Sequence, residues 1–340
     1  MNKKSVIIVL ALSLMHLLCD FICGFKIVGV LGDKYIEQTL YIFIVYNSLA
    51  FLFQPLIGLV IDKLFLGKSI LIFSIICLFL GIIVNHWLIS CIFLGIGNQI
   101  FHVIGGKICT NINSSKASHL GIFVSLGAIG LVLGSNFYEV TIIIYLALIL
   151  YLILSVLVVL NIDNYEHSNI EINPKPMNKV VLGTALMVIV VFIRSFLGKI
   201  IHFEFEMNLI LIILFPCFGA FGKFVGGFIR DKFGSLKTVV ISMSLCCIIL
   251  IFFAKSIVLM MLGMVLINIS MPISLYELNQ LNQKHEGLNF GILAAVLFPG
   301  VFLGIIYPYN DITYIFIVAI SSLLTILSIY VIKKWSKAND

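Results

Sequence analysis

Apolar residues run along this chain in long blocks with short polar breaks between them. The blocks cover about 5–28, 37–61, 69–86, 88–106, 119–136, 139–161, 179–200, 207–229, 237–254, 256–276, 288–307 and 311–332. Each is near the roughly 20 residues that cross a hydrocarbon layer as a helix. No water is present there to pair with backbone N–H and C=O groups, so each block is predicted to be helical. The ten-residue alternating segments of a transmembrane barrel are absent. The longest polar interruption is Asn161 to Lys179, near the middle, with Pro174 and Pro176 in it. It divides the chain into an N-terminal six-helix half over 1–163, a linker over 164–178 and a C-terminal six-helix half over 179–340. The expected fold is therefore all-α: a polytopic membrane protein of twelve transmembrane helices in two pseudo-symmetric halves.

Composition strengthens this reading. The 340 residues are 61% hydrophobic and only 11% charged, more apolar than a soluble core requires. The first block is too long for a cleaved signal peptide and contains His16 and Asp20. Eight cysteines lie in or at the ends of apolar blocks with no C-x-x-C pair, so they read as small buried apolar residues. The net charge of +6 matters through its placement. With the N-terminus in the cytoplasm, fifteen Lys and Arg fall on the inner side and four (Lys26, Lys34, Lys199, Lys255) on the outer. That bias predicts cytoplasmic termini and excludes a nucleic-acid partner as the reason for the charge.

The sparse charges also repeat. G-L-V-I-D-K-L-F-L-G-K-S (Gly58–Ser69) closes the second block, and G-F-I-R-D-K-F-G-S-L-K (Gly227–Lys237) closes the eighth. Gly58 matches Gly227, Asp62 matches Asp231, Lys63 matches Lys232 and Lys68 matches Lys237; the second copy adds Arg230 and Gly234, where the first has Phe65. The two aspartates stand 169 residues apart, half the chain. Parallel six-helix repeats are the internal symmetry of one class of secondary transporter.

Twelve spans, a central loop and two copies of this motif resemble the major facilitator superfamily over the whole chain. The resemblance implies that the glycines let helices approach closely at the cytoplasmic side, and that the aspartates and basic residues hold a gate shut in one state. S-L-M-H-L-L-C-D (Ser13–Asp20), Y-N-S-L-A-F-L-F-Q-P-L-I-G (Tyr46–Gly58) and G-I-G-N-Q-I-F-H-V-I-G-G (Gly95–Gly106) are similar to fosmidomycin-resistance-type exporters. The chain departs from them at Val103, where proline usually follows Phe-His, and at Ser135, where exporters often carry proline.

Polar residues inside a bilayer are costly and mark pathways or partners. His16 and Asp20 are four apart on one face of the first helix. Asn98 and His102 are four apart on the fourth, with Gln99 beside them. By position Asp20 belongs to the outer half and His102 lies toward the cytoplasmic side, so the two histidines read at different depths and no metal site is expected. Arg194 on the seventh helix has two open readings, facing a cavity or snorkelling outward with Lys199. Ser270, Ser274 and Glu277 make one polar stripe on the tenth helix, with Asn268 nearby and Pro272 able to kink the helix. Glu277, near its cytoplasmic end, reads as solvated. Pro216 and Pro299 suggest bends, and Phe51, Phe53 and Phe221 read as lipid-facing or core.

Together these features point to a secondary transporter of a small organic solute or drug, driven by proton exchange in the efflux direction, in the plasma membrane and monomeric. No Walker-type phosphate loop, enzyme motif or cofactor site is present. Anion or metabolite uptake by the same fold, and a non-transporting sensor or assembly protein, remain the alternatives.

Overall fold

A computed structural model describes residues 3–64, 67–162, 175–201 and 203–337. Most of the expected linker at 164–178, and Phe65 in the first motif, lie outside the described residues. The described residues form helices joined by turns and short irregular connections, with no strand among them. Eleven helices are long and apolar enough to span a membrane: α1 Lys3–Lys34, α2 Ile36–Leu64, α4 Trp87–Ile112, α5 Ser118–Asn136, α6 Thr141–Val159, α7 Met177–Ile200, α8 Leu209–Phe233, α9 Ser235–Phe252, α10 Ile257–Leu281, α11 Glu286–Ile306 and α12 Asp311–Ser336. α3, Gly67–Ile83, has 17 residues and completes the set of twelve.

The helices outrun the apolar blocks. α1 continues to Lys34 through a widened, π-helical stretch over Gly24–Leu31. Lys26, expected on the outer flank, is therefore inside the bundle; its ammonium donates to the Ile82 carbonyl at 2.9 Å. α5 is interrupted at Leu126, between Ser118–Ser125 and Gly127–Asn136. α11 is interrupted at Val296. The second break has a local cause: the Pro299 ring clashes with the carbonyl four residues back, at Ala295. Pro216 and Pro272 are carried inside continuous helices.

Within the first half α1 packs on α5 and α6, and α3 on α4; within the second, α7 packs on α11 and α12, and α10 on α8 and α9. The halves meet mainly through two pairs, α2 with α11 and α5 with α8. Adding six to each helix number exchanges these pairs, so the pseudo-two-fold relation is built into the interface. Apolar surface stays on the outside, as lipid-facing helices require: Leu146, Ile153, Phe252, Val258 and Phe316 are all exposed.

Glycine fixes how close the paired helices come. A Cβ on Gly227 would stand 2.6 Å from the Ala117 carbonyl oxygen and 2.7 Å from the Ser118 Cα. A Cβ on Gly58 would strike the Gly287 backbone. Backbone meets backbone at both places, and no side chain is available to yield.

Candidate functional site

Between the halves lies a cavity of about 440 Å³. The first half contributes His16 and Asp20 from α1, Phe43, Asn47, Phe51 and Gln54 from α2, and His102 from α4; the second contributes Arg194 from α7, Lys223 from α8, and Phe290 and Phe298 from α11. Its surface is mainly apolar and aromatic, with a small set of converging charges. Arg194 faces this cavity, and its Nη1 donates to Ser270 Oγ at 3.1 Å. Phe51, expected against lipid or in the core, is a cavity wall, whereas Phe53 and Phe221 are exposed.

The densest chemistry is a triad on the first-half wall. His16 Nε2 lies 2.8 Å from His102 Nε2. Asp20 Oδ2 is 3.3 Å from His16 Nε2, and Asp20 Oδ1 is 3.6 Å from His102 Nε2. Asn98 Nδ2 donates to Asp20 Oδ1 at 3.0 Å. The expectation that the histidines lie at different depths is wrong. α1 and α4 run antiparallel, so the start of α1 and the end of α4 share a rim. His16 stands 13 residues from Lys3 and His102 10 residues from Ile112. At about 1.5 Å per residue the difference is only about 5 Å, which helix tilt absorbs.

The triad fixes its own tautomers. His16 Nδ1 is 2.8 Å from the Phe123 carbonyl oxygen, and His102 Nδ1 is 2.8 Å from the Asn98 carbonyl oxygen. A carbonyl only accepts, so each Nδ1 carries the hydrogen and donates it. Each neutral ring then presents a lone pair at Nε2. Two lone pairs 2.8 Å apart repel unless a positive guest, a proton or a metal ion, lies between them. Gly127 makes room: a Cβ there would strike His16 Nε2 and come within 2.5 Å of Asp20 Oδ2.

At one rim the repeated motifs perform the same task twice. Asp62 accepts from the Gly287 and Leu288 backbone N–H groups at 3.1 and 2.8 Å, at the start of α11. Asp231 accepts from the Ala117 and Ser118 N–H groups at 2.8 and 3.1 Å, at the start of α5. Each carboxylate thus caps a helix of the opposite half, where the helix dipole favours negative charge. The basic support differs between copies. Lys107 from α4 pairs with Asp62 at 3.0 Å. Arg230 bonds to Asp231 at 3.1 Å, donates to the Ser115 carbonyl at 3.0 Å and stacks 3.4 Å over the Tyr276 ring. Gln280 Nε2 donates to the Ser114 carbonyl at 2.6 Å, and Asn279 Nδ2 to Thr110 Oγ1 at 3.2 Å. This rim is closed.

The other sequence candidates separate by place. Asn268 borders a neighbouring pocket with Lys223 and bonds to the Met264 carbonyl. Gln99 is buried in α4 outside the cavity lining. Ser274 is buried against Ser270. Glu277, expected to be solvated, is buried and accepts from Ser235 Oγ at the closed rim. Lys63, Lys232 and Lys237 are exposed and Lys68 is half-buried. Gly234 adopts φ +83°, a left-handed turn that suits glycine between α8 and α9. Sequence reasoning missed Lys223 and Lys107. Lys223 was visible as a cation in the middle of an apolar block; nothing set Lys107 apart from a flanking charge.

The helix count, the two paired halves and the mirrored rim are those of the major facilitator fold. Solved structures agree. A bacterial homologue of the iron transporter ferroportin, in an outward-facing state, is 14% identical with a TM-score of 0.59, covering 98% of this chain and 99% of that one. A variant of the E. coli fucose:proton symporter is 13% identical with a TM-score of 0.58, covering 99% and 97%. At these identities the likeness concerns the fold. No protein-family model and no curated protein sequence matches the chain.

Proposed function

We propose that the chain is a secondary active transporter that moves a small organic solute by alternating access. One observation carries this reading: a central cavity lined by both halves lies behind a rim closed by two equivalent carboxylate latches. Each latch is a set of hydrogen bonds across a packed glycine contact, and sliding the halves apart exchanges those bonds for water. A contact of that kind can be made and broken in every cycle.

The cavity suggests the solute class. Two cationic side chains, Arg194 and Lys223, face one carboxylate, Asp20, among phenylalanines. That balance suits an organic anion with an apolar or aromatic body. Proton exchange is the proposed coupling, with the histidine pair holding the proton. A fucose:proton symporter among the fold neighbours supports such coupling in this architecture. Efflux is the proposed direction, on the similarity to fosmidomycin-resistance-type exporters in α1, α2 and α4. The lysine bias supports a cytoplasmic latched rim and cytoplasmic termini. The proposal takes the protein as a monomer in the plasma membrane, with residues 164–178 as the linker between the halves. Arg194 and Lys223 equally favour uptake of an anion, and this is the second reading.

Reconstitution in liposomes tests both. A panel of aromatic carboxylates and phosphonates is offered under an imposed pH gradient, with a pH dye in the lumen. Solute-dependent proton movement, reduced at least tenfold in Asp20→Asn, is expected. Solute flux that ignores the gradient and survives Asp20→Asn removes proton coupling. Absence of any solute-dependent flux across the panel, with the protein folded and inserted, counts against transport of organic anions.

A further inference from the structure

We propose that His16, His102 and Asp20 form a binding site for a divalent transition-metal ion of borderline softness, of the Zn²⁺ and Co²⁺ class. The ligand atoms lie within 4.8 Å of one another, two imidazole nitrogens and a carboxylate. Both imidazoles are locked with Nε2 inward by the Phe123 and Asn98 carbonyls. A second shell of this kind, ring N–H to backbone carbonyl, orients histidines that ligate metals. The carboxylate is held in the same manner, by Asn98 Nδ2. One residue of α4 thereby positions two of the three ligands: Asn98 gives its carbonyl to His102 and its amide to Asp20.

The metric fit is close. Tetrahedral Zn²⁺–N bonds of about 2.0–2.1 Å place two ligand nitrogens about 3.3 Å apart. The Nε2 atoms, now 2.8 Å apart, separate by about half an ångström to admit the ion, a small rotation for two imidazoles. Binding relieves the facing lone pairs and displaces the proton that would otherwise lie between them. Three protein ligands leave a fourth position, which opens onto the cavity. Arg194 and Lys223 line that cavity, so the fourth ligand is expected to be an anion: hydroxide, carboxylate or phosphate. Cys19 and Cys23 are near but outside the set; each sulfur contacts Asn98 Nδ2 at 3.7 Å. The inference stands whether or not the chain carries a solute.

The test is a Co²⁺ titration of the full-length protein, purified in detergent and stripped with chelator, read by visible absorption. One Co²⁺ per chain is expected, with the intense d–d bands of a four-coordinate site, no sulfur charge-transfer band, and displacement by Zn²⁺. His16→Ala and His102→Ala abolish the bands, and Asn98→Ala weakens binding about 10- to 100-fold. Copper bound to the unmutated protein, examined by electron spin echo modulation, reports two coordinated imidazoles, so the result does not depend on variants that fail to fold. No binding, weak six-coordinate bands, bands that survive both histidine substitutions, a thiolate charge-transfer band, or fewer than two imidazoles overturns the site. A failure to bind metal is distinct from a failure of transport, because the liposome assay reads flux of the unmutated protein without added metal.

Discussion

Substituting Asp62 by Asn tests whether the two rim latches act as one. The Asp62 carboxylate is only 3% exposed, accepts two backbone N–H groups and pairs with Lys107 at 3.0 Å. Asparagine keeps one acceptor oxygen but turns an NH₂ toward a group that donates, and it removes the charge facing Lys107. Breaking one partner of a buried pair costs about 3–5 kcal/mol. With one acceptor retained, the lower end applies, about 3 kcal/mol. At 1.4 kcal/mol per factor of ten, the closed-to-open ratio falls by about two orders of magnitude. Hydrogen exchange with mass spectrometry reads this directly. The Gly287 and Leu288 amides, held by Asp62, should exchange about 100-fold faster through rim opening. The halves move as bodies, so the Ala117 and Ser118 amides, held by the unmutated Asp231, should accelerate by a similar factor. Acceleration confined to 287–288, with 117–118 unchanged, refutes the coupling and reduces the motif to two independent helix caps.

Three further outcomes follow from the geometry. Gly227→Leu drives a side chain into the Ala117–Ser118 backbone; at about 1–3 kcal/mol for overpacking, it should hold the rim open and remove transport while the protein remains monodisperse in detergent. Arg230→Lys keeps the charge but loses the planar stacking on Tyr276 and the fork that reaches Ser115, so exchange at 117–118 should rise about tenfold, less than for Asp231→Asn. Gly127→Ala places a methyl group on His16 Nε2 and Asp20 Oδ2, and Co²⁺ absorption should disappear although no ligand is altered; unchanged bands would show that the triad is looser than described.

Hydrophobic blocks made the helix inventory legible, because a bilayer leaves the backbone no alternative to internal pairing. The boundaries were less so: α4 runs to Ile112 and α8 to Phe233, several residues past their apolar blocks, because polar residues at the rim stay helical where the opposite half packs and hydrogen-bonds to them. The motif aspartates were visible through repetition, and their targets were not, since Gly287 and Ala117 are 225 and 114 residues distant from the acids and carry no side-chain signal. His16 and Asp20 could be placed on one face by spacing alone. Their meeting with His102 needed the antiparallel register of α1 and α4, which no local pattern encodes. Glu277 shows the reverse failure: a carboxylate at a helix end reads as wet, yet the linked Ser235 and the closed rim cover it.

The mirrored caps have an implication for how the molecule comes into being. A first half emerging alone presents Asp62 with no helix start to cap and the α5 start with no acid to meet it. Its complement has the same two vacancies in reverse. Neither portion can finish its own inner edge, so each waits as an unfinished surface until the other arrives. The seam then completes both at once, and two separately synthesised portions should find each other by the same reciprocity.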